Sequence, residues 1–210
     1  MSKVTKSQYV LYTNQLIREE GLENVSVRKI TSHFHCTSGA LYKHFPDFDY
    51  LIALACIHCM KEYMEAVEPL AKRQNTIETN LYAWKLFIMH AFKKPDIFYT
   101  IFYGPYHYTM SKVFQEYCEM FPKEFSNLSP VQMSILLNNR IEERDFLGIQ
   151  DSIGMEIPDV STAKQIARID GCIFRTLLTE NREKKSAKVL MQAARECFSL
   201  IEANEKRFLK

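Results

Sequence analysis

The chain has 210 residues, of which 47% are hydrophobic and 25% charged, and its formal net charge is +2. These values are typical of an ordinary soluble globular protein. Only 6 glycines and 7 prolines are present, which argues against an all-β fold with many turns. The low net charge excludes a polycation, so any contact with nucleic acid must come from a local patch.

The six cysteines, at positions 36, 56, 59, 118, 172 and 197, are scattered among apolar residues. They do not form the framework of a small secreted domain. The N-terminus lacks the basic start and following apolar run that are typical of a signal peptide. No stretch approaches the ~20 apolar residues of a membrane span. The sequence therefore predicts a reduced, cytoplasmic protein.

Three short helical patterns occupy the N-terminal part of the chain. The first spans about 7–20 and ends before a glycine, which is a common helix stop. Ser26 is a favourable N-cap for the second pattern, whose apolar residues are spaced three and four apart. Thr37 can cap the third, at about 39–45, which a proline ends.

Longer helical patterns fill the rest of the chain, so the predicted fold is all-α with about nine helices. Residues 148–160 contain glycines and a proline and are predicted to be a loop. The six further helical segments are predicted at about 47–72, 75–92, 96–125 with interruptions, 129–146, 161–180 and 186–208.

The segment 24–46 contains Arg28, Lys29, Lys43 and three histidines, but no Asp or Glu. Two short helices joined by a tight turn, with such a basic footprint, favour a helix-turn-helix whose third helix enters the major groove of DNA.

Three motifs carry a family resemblance, and they lie between Tyr9 and Leu51. They are Leu16-Ile17-x-x-x-Gly21, Ser26-Val27-Arg28-x-Ile30 and Ser38-Gly39-Ala40-Leu41-Tyr42-x-His44-Phe45. With them the chain resembles the tetracycline-repressor (TetR-type) family of bacterial transcription regulators. The resemblance implies a three-helix DNA-binding domain over residues 1–46 and an effector-binding and dimerisation domain over residues 47–210.

The resemblance also implies which residues meet DNA. Small residues at the start of the third helix let the backbone approach closely, and the others hold phosphates. The expected set is Arg28, Thr37, Ser38, Gly39, Ala40, Tyr42, Lys43 and His44. Two positions depart from the family pattern. His35 stands in the turn where a Gly with positive φ is usual, and Phe48 stands where a Lys often touches phosphate.

A homodimer is expected because one module of this size buries too little surface for tight, specific DNA binding. The last two helical patterns are predicted to form a four-helix interface between two chains. The alternative is that both apolar stripes face the protomer's own core. The predicted interface residues are Ile166, Ile169, Ile173, Leu177, Leu190, Ala194, Cys197 and Ile201.

Residues 82–121 are dense in aromatic side chains, and the resemblance implies a cavity for a small-molecule effector in this part of the chain. The candidate pocket residues are Trp84, Phe102, Tyr103, His107 and Tyr117, and the alternative is that these rings form ordinary core. Asp96 is the only acid between residues 79 and 115, which argues against a cationic effector.

The predicted function is that of a ligand-responsive transcriptional regulator, a repressor that binds a palindromic operator as a homodimer and is released by a small apolar or aromatic effector. The alternative is a family member that acts through a protein partner and has weakened or lost DNA reading.

Other chemistries find less support. A metal or redox site at Cys56-x-x-Cys59 lacks a second pair of ligands and lies inside a predicted helix. No nucleophile elbow or phosphate loop accompanies His90, His107 or the carboxylates at positions 142 and 143. We therefore expect no enzyme activity, no metal and no cofactor.

Overall fold

The computed structural model describes residues 4–126, 140–183 and 185–209. Apart from an isolated bridge between Ile153 and Ile157, these residues form helices, turns and irregular connections. The predicted all-α class is confirmed, and a small N-terminal group of helices precedes a larger helical part. None of the described helices combines the length and apolarity that a membrane crossing needs.

The N-terminal group consists of α1 (Lys6–Glu20), α2 (Val27–His33) and α3 (Ser38–Tyr42). Each lies within a few residues of its predicted range. Fully or almost fully buried side chains fill the space between them, namely Tyr9, Ile30, Leu41 and Phe45.

Side-chain caps fix where these helices begin. The hydroxyls of Ser26 and Thr37 accept from backbone N–H groups three residues later, as predicted. Thr5 and Gln8 form a reciprocal capping box at α1.

The predicted helix over residues 47–72 is divided. It consists of α4 (Phe48–Ile57), a 3₁₀ turn and α5 (Lys61–Val67), followed by a second 3₁₀ turn. Asn14 on α1 donates to the carbonyl of Ala55 at 2.9 Å. In a continuous helix that carbonyl accepts from the N–H four residues later, so the inserted amide accounts for the break.

The remaining helices form the larger part of the fold. The first begins after Thr76, whose side chain caps it. The predicted helix over 129–146 falls largely on residues 127–139, outside the described residues, and only its end is seen. These helices are α6 (Ile77–Ala91), α7 (Pro95–Tyr103), α8 (Met110–Met120), α9 (Ile141–Gly148), α10 (Val160–Glu180) and α11 (Ala187–Arg207).

Helix α4 joins the two parts of the fold. It packs against α1 of the N-terminal group and against α7 and α8 of the larger part. Helices α6, α9, α10 and α11 pack against one another. A change in the larger part can therefore reach α2 and α3 through α4 and α1.

Candidate nucleic-acid interface and aromatic core

The residues predicted to meet DNA lie at the protein surface. Ala40 and His44 are half-buried, and the other six, namely Arg28, Thr37, Ser38, Gly39, Tyr42 and Lys43, are exposed. Leu41 is fully buried and anchors the opposite side of α3. The structure therefore presents α3 outward over most of its length.

Gly39 has open space around it. A Cβ built on Gly39 meets only the Thr37 hydroxyl, at 3.8 Å, which is an ordinary contact. The fold itself therefore has room for a side chain at this place. A small residue there leaves the backbone of α3 accessible from outside.

The turn between α2 and α3 contains His35 in the left-handed region, with a φ of 49°. This is the conformation expected for the position at which the family usually has Gly. A non-glycine residue in that region costs about 1–2 kcal/mol. The neighbouring Cys36 lies 3.2 Å from the Tyr9 hydroxyl, which ties the turn to α1.

Contacts between aromatic rings stabilise the packing of α1 against α2 and α3. The ring of His33 stacks on Tyr12 with centroids 3.6 Å apart, and His44 lies 5.5 Å from Tyr9. Phe48 is half-buried and packs against the hydrophobic core. Its side chain therefore serves packing at the place where a phosphate-binding Lys is usual.

A set of polar side chains connects α1 and α4 with α8 and the turn before it. Glu116 on α8 forms an ion pair with Lys6 and accepts from the Tyr50 hydroxyl. The Tyr106 hydroxyl donates to Asp47, which also caps α4. We call these five residues the domain-linking cluster. Sequence reasoning missed it because its members are far apart in the chain.

Three of the predicted pocket residues share one aromatic core. Trp84 lies 5.7 Å and Tyr103 6.5 Å from the ring of Phe174, and Phe102 lies 5.2 Å from Phe87. Phe87 in turn lies 4.8 Å from Phe174. We call these five residues the aromatic core.

The other two predicted pocket residues lie elsewhere. The Tyr117 hydroxyl donates to Glu124 at 2.7 Å, and His58 contacts the same carboxylate. His107 lies in the turn after α7 and bonds the Gly104 carbonyl at 2.6 Å. The structure thus divides the predicted pocket residues among three places.

Arg144 adds a positive charge to the aromatic core, and sequence reasoning did not identify it. Its guanidinium lies 5.0 Å from the ring of Phe87 and 5.3 Å from that of Phe102. One terminal nitrogen donates to the Tyr63 hydroxyl at 3.0 Å. The Nε atom is buried and has no hydrogen-bond partner in the part of the chain that the structure describes. It can therefore donate to an acceptor from outside the chain.

The two cysteines of the Cys-x-x-Cys motif are buried and free. Burial raises the pKa of Cys56 well above the ordinary value of a thiol, and burial also raises the pKa of Cys59. Both remain protonated at neutral pH, whereas redox and metal chemistry need the thiolate.

The residues predicted for the dimer interface fall into two groups. Ile166, Ala194, Cys197 and Ile201 are buried within the chain itself. They form part of the protomer's own core, as the alternative for these stripes had it. The remaining four, Ile169, Ile173, Leu177 and Leu190, are half-buried and stay available to a partner.

Residues 13–53 match the family model described as bacterial regulatory proteins, tetR family. No curated protein and no solved structure matches the chain significantly. The matched segment runs from the second half of α1 into α4. It includes all of the exposed residues of α2 and α3 that were predicted to meet DNA.

Proposed function

We propose that the chain, whose residues 13–53 match the tetR family model, is a TetR-family transcriptional regulator that acts as an effector-released repressor and binds a palindromic operator as a homodimer. Residues 1–46 serve as the DNA-binding domain, and residues 47–210 bind the effector and the second chain. The exposed face of α3 is the observation that carries the proposal.

Small residues and cationic residues have different roles in DNA binding. Ser38, Gly39 and Ala40 let the start of α3 approach the base edges in the major groove. Arg28 and Lys43 neutralise phosphates, and the Tyr42 hydroxyl donates to another. Because α3 has no Arg, Asn or Gln, each half-site is read with modest specificity, and the operator depends on two half-sites and on DNA shape.

Dimerisation supplies a second α3 helix, which binds the other half-site of the operator. The half-buried apolar residues of α10 and α11 support an interface there, since Ile169 and Leu190 lie outside the packed hydrophobic core. In the DNA-bound dimer the two α3 helices lie about 34–36 Å apart, one turn of the double helix.

The effector binds at the aromatic core. The rings favour a small aromatic or apolar molecule, and the unpartnered Nε of Arg144 favours one that carries an acidic group. The effector stabilises a form of the dimer in which the two α3 helices are wrongly spaced for the operator. The contacts of α4 with α1, α7 and α8 support a path for this change.

A mobility-shift titration on the DNA upstream of the chain's own gene tests this function. We expect a dimer to shift a fragment that contains an inverted repeat, and aromatic carboxylic acids to reverse the shift. An acid that binds but leaves operator affinity unchanged, or raises it, contradicts release. Failure to bind any such fragment, together with capture of a defined protein partner, supports the alternative of a regulator that acts without reading DNA.

A further inference from the structure

Three acidic side chains meet inside the protein where α6, α9, α10 and α11 pack together. Asp145, Asp170 and Glu205 are 3%, 0% and 0% exposed. Each offers a carboxylate oxygen within 4.8 Å of those of the other two. Within the described ranges, this is the one group of three or more His, Cys, Asp or Glu with the geometry of a metal site.

Among the described residues, this concentration of acids has no basic partner at ion-pair distance. No Lys, Arg or His in the described part of the chain forms an ion pair with any of the three. The nearby Arg144 directs its hydrogen bond to Tyr63. An unpaired carboxylate is strongly disfavoured in a protein interior. Protons or a bound cation must therefore compensate the cluster.

Each carboxylate is held by one oxygen only. The Asn80 amide and the Trp84 indole donate to Oδ1 of Asp145, both at 2.6 Å. Asn80 also donates to Oε1 of Glu205 at 3.0 Å. Asn204 donates to Oδ1 of Asp170 at 2.9 Å.

Among the described residues, the second oxygen of each carboxylate is buried and accepts no N–H group, although the carboxyls of Asp145 and Asp170 approach closely enough for a hydrogen bond between them. The same arrangement is found around bound metals, where N–H donors orient one oxygen of a carboxylate and the other oxygen binds the ion. Three such oxygens in one place indicate a missing ligand of opposite charge.

The packing around the cluster keeps the donors in place. A Cβ built on Gly148 at the end of α9 falls 2.2 Å from Oδ1 of Asn80. The glycine therefore permits a close approach of α9 to α6 that holds the Asn80 amide between two of the acids. The site is built from four helices and does not depend on one flexible loop.

Shared protons satisfy the group only in part. Burial raises the pKa of both Asp145 and Asp170, and these two carboxyls are close enough to share a proton. Burial first, and then the charge of Asp145, raise the pKa of Glu205 to about 9. The free oxygen of Glu205 has no hydrogen-bond partner among the described residues.

We propose that Asp145, Asp170 and Glu205 bind one hard divalent cation, Mg²⁺ or Mn²⁺, inside the larger domain. An all-oxygen donor set suits such ions, whereas Zn²⁺ and Cu²⁺ are more often bound through nitrogen and sulfur. Water completes the coordination shell, as is usual for Mg²⁺ in proteins. The ion displaces the protons of the cluster and cross-links α9, α10 and α11.

Titration of the full chain with MnCl₂ after removal of metals by EDTA tests the site. Bound Mn²⁺ loses the sharp electron paramagnetic resonance spectrum of the free ion, so uptake is measured directly. We expect saturation at one ion per chain, competition by Mg²⁺ and a higher midpoint of thermal unfolding. An unchanged spectrum of free Mn²⁺ in the presence of excess folded protein overturns the proposal.

Two substitutions locate the ion. Asp170→Asn keeps the shape of the side chain and removes a buried charge, so it should fold at least as stably in EDTA but lose Mn²⁺ uptake. Asn204→Ala removes only an orienting donor and should weaken Mn²⁺ binding about 10- to 100-fold.

Glu202→Gln is the matched control. Glu202 lies one turn before Glu205 on α11, where it pairs with Lys206 at the surface. We expect this variant to bind Mn²⁺ like the unsubstituted chain. Equal uptake by the Asp170→Asn variant contradicts the assignment.

Discussion

Gly39 stands where the fold has room for a side chain, and this sets it apart from glycines that the backbone requires. Its neighbourhood within the chain contains only the Thr37 hydroxyl. A requirement for a small residue there must come from a surface that docks against α3. Stability and DNA affinity therefore respond in opposite directions to a methyl group at this position.

The substitution Gly39→Ala separates the two effects. Ala is the better helix former by about 1 kcal/mol, so the free energy of unfolding in urea should rise or stay the same. Operator affinity should fall about tenfold or more, because one lost base or phosphate contact is worth about 1–3 kcal/mol. A variant that binds the operator with unchanged affinity in a mobility-shift titration shows that α3 does not approach DNA closely here.

His35 shows the reverse case, a side chain at a position that favours Gly. Its left-handed backbone costs about 1–2 kcal/mol, and the greater freedom of Gly in the unfolded chain offsets about 0.5–1 kcal/mol of that cost. We therefore expect His35→Gly to raise the free energy of unfolding by about 0.5–1 kcal/mol.

Urea unfolding measures this change, and His33→Gly provides the comparison. His33 is helical and stacks on Tyr12, so the same substitution two residues earlier should lower the free energy of unfolding by about 1 kcal/mol or more. Loss of stability in both variants contradicts the assignment of strain to His35.

At the scale of the element, α4 and the domain-linking cluster connect the larger part of the fold to the DNA-binding helices. Glu116 contacts both Lys6 of α1 and Tyr50 of α4. This single carboxylate therefore holds α1 of the N-terminal group and the joining helix α4 against α8. A rearrangement of α8 must move them or break these contacts.

Substituting Glu116→Gln keeps the size of the side chain and removes its charge. We expect effector-free operator affinity to change by less than a factor of about three, because an ion pair at the protein surface contributes little free energy. Effector binding should persist, while the effector's ability to release DNA weakens. Mobility-shift titrations with and without effector measure both quantities.

Glu119→Gln is the control for this experiment. Glu119 is exposed on the same helix and accepts a hydrogen bond from Gln115. Full release by effector in the Glu116 variant, equal to that of the control, excludes the cluster as a coupling element.

The elements also show what local sequence can reveal. Ser26 and Thr37 predict where α2 and α3 begin, because a capping side chain bonds a backbone N–H only three residues later in the chain. The break after α4 depends on Asn14, which is 41 residues from Ala55, and no local pattern reports such a contact. The cluster of Asp145, Asp170 and Glu205 was missed for the same reason.

At the scale of the whole molecule, each apolar stripe of α10 and α11 contains residues buried in the protomer's core and residues that are only half-buried. Periodicity identified both stripes but could not tell which residues the protomer itself covers. Ile166 and Ile201 proved to be core, whereas Leu190 is half-buried and outside the packed clusters. A dimer interface in this region therefore uses the half-buried side of the helices.

The substitution Leu190→Asp tests this side of the helices. A charge at a desolvated interface should convert the dimer to monomers and abolish operator binding, while leaving the protomer folded. Sedimentation velocity measures the change in mass. Arg195→Glu, at an exposed position of the same helix, should remain dimeric. An intact dimer of the Leu190 variant places the interface elsewhere.

Trp84 belongs to two groups at once, because its N–H bonds Asp145 while its ring packs against Phe87 and Phe174. A side chain shared by two binding sites makes their affinities interdependent. Whatever factor a cation at Asp145 imposes on effector affinity, the effector must impose on cation affinity. Since Trp84 is the only tryptophan of the chain, its fluorescence reports both events and measures that linkage without an added label.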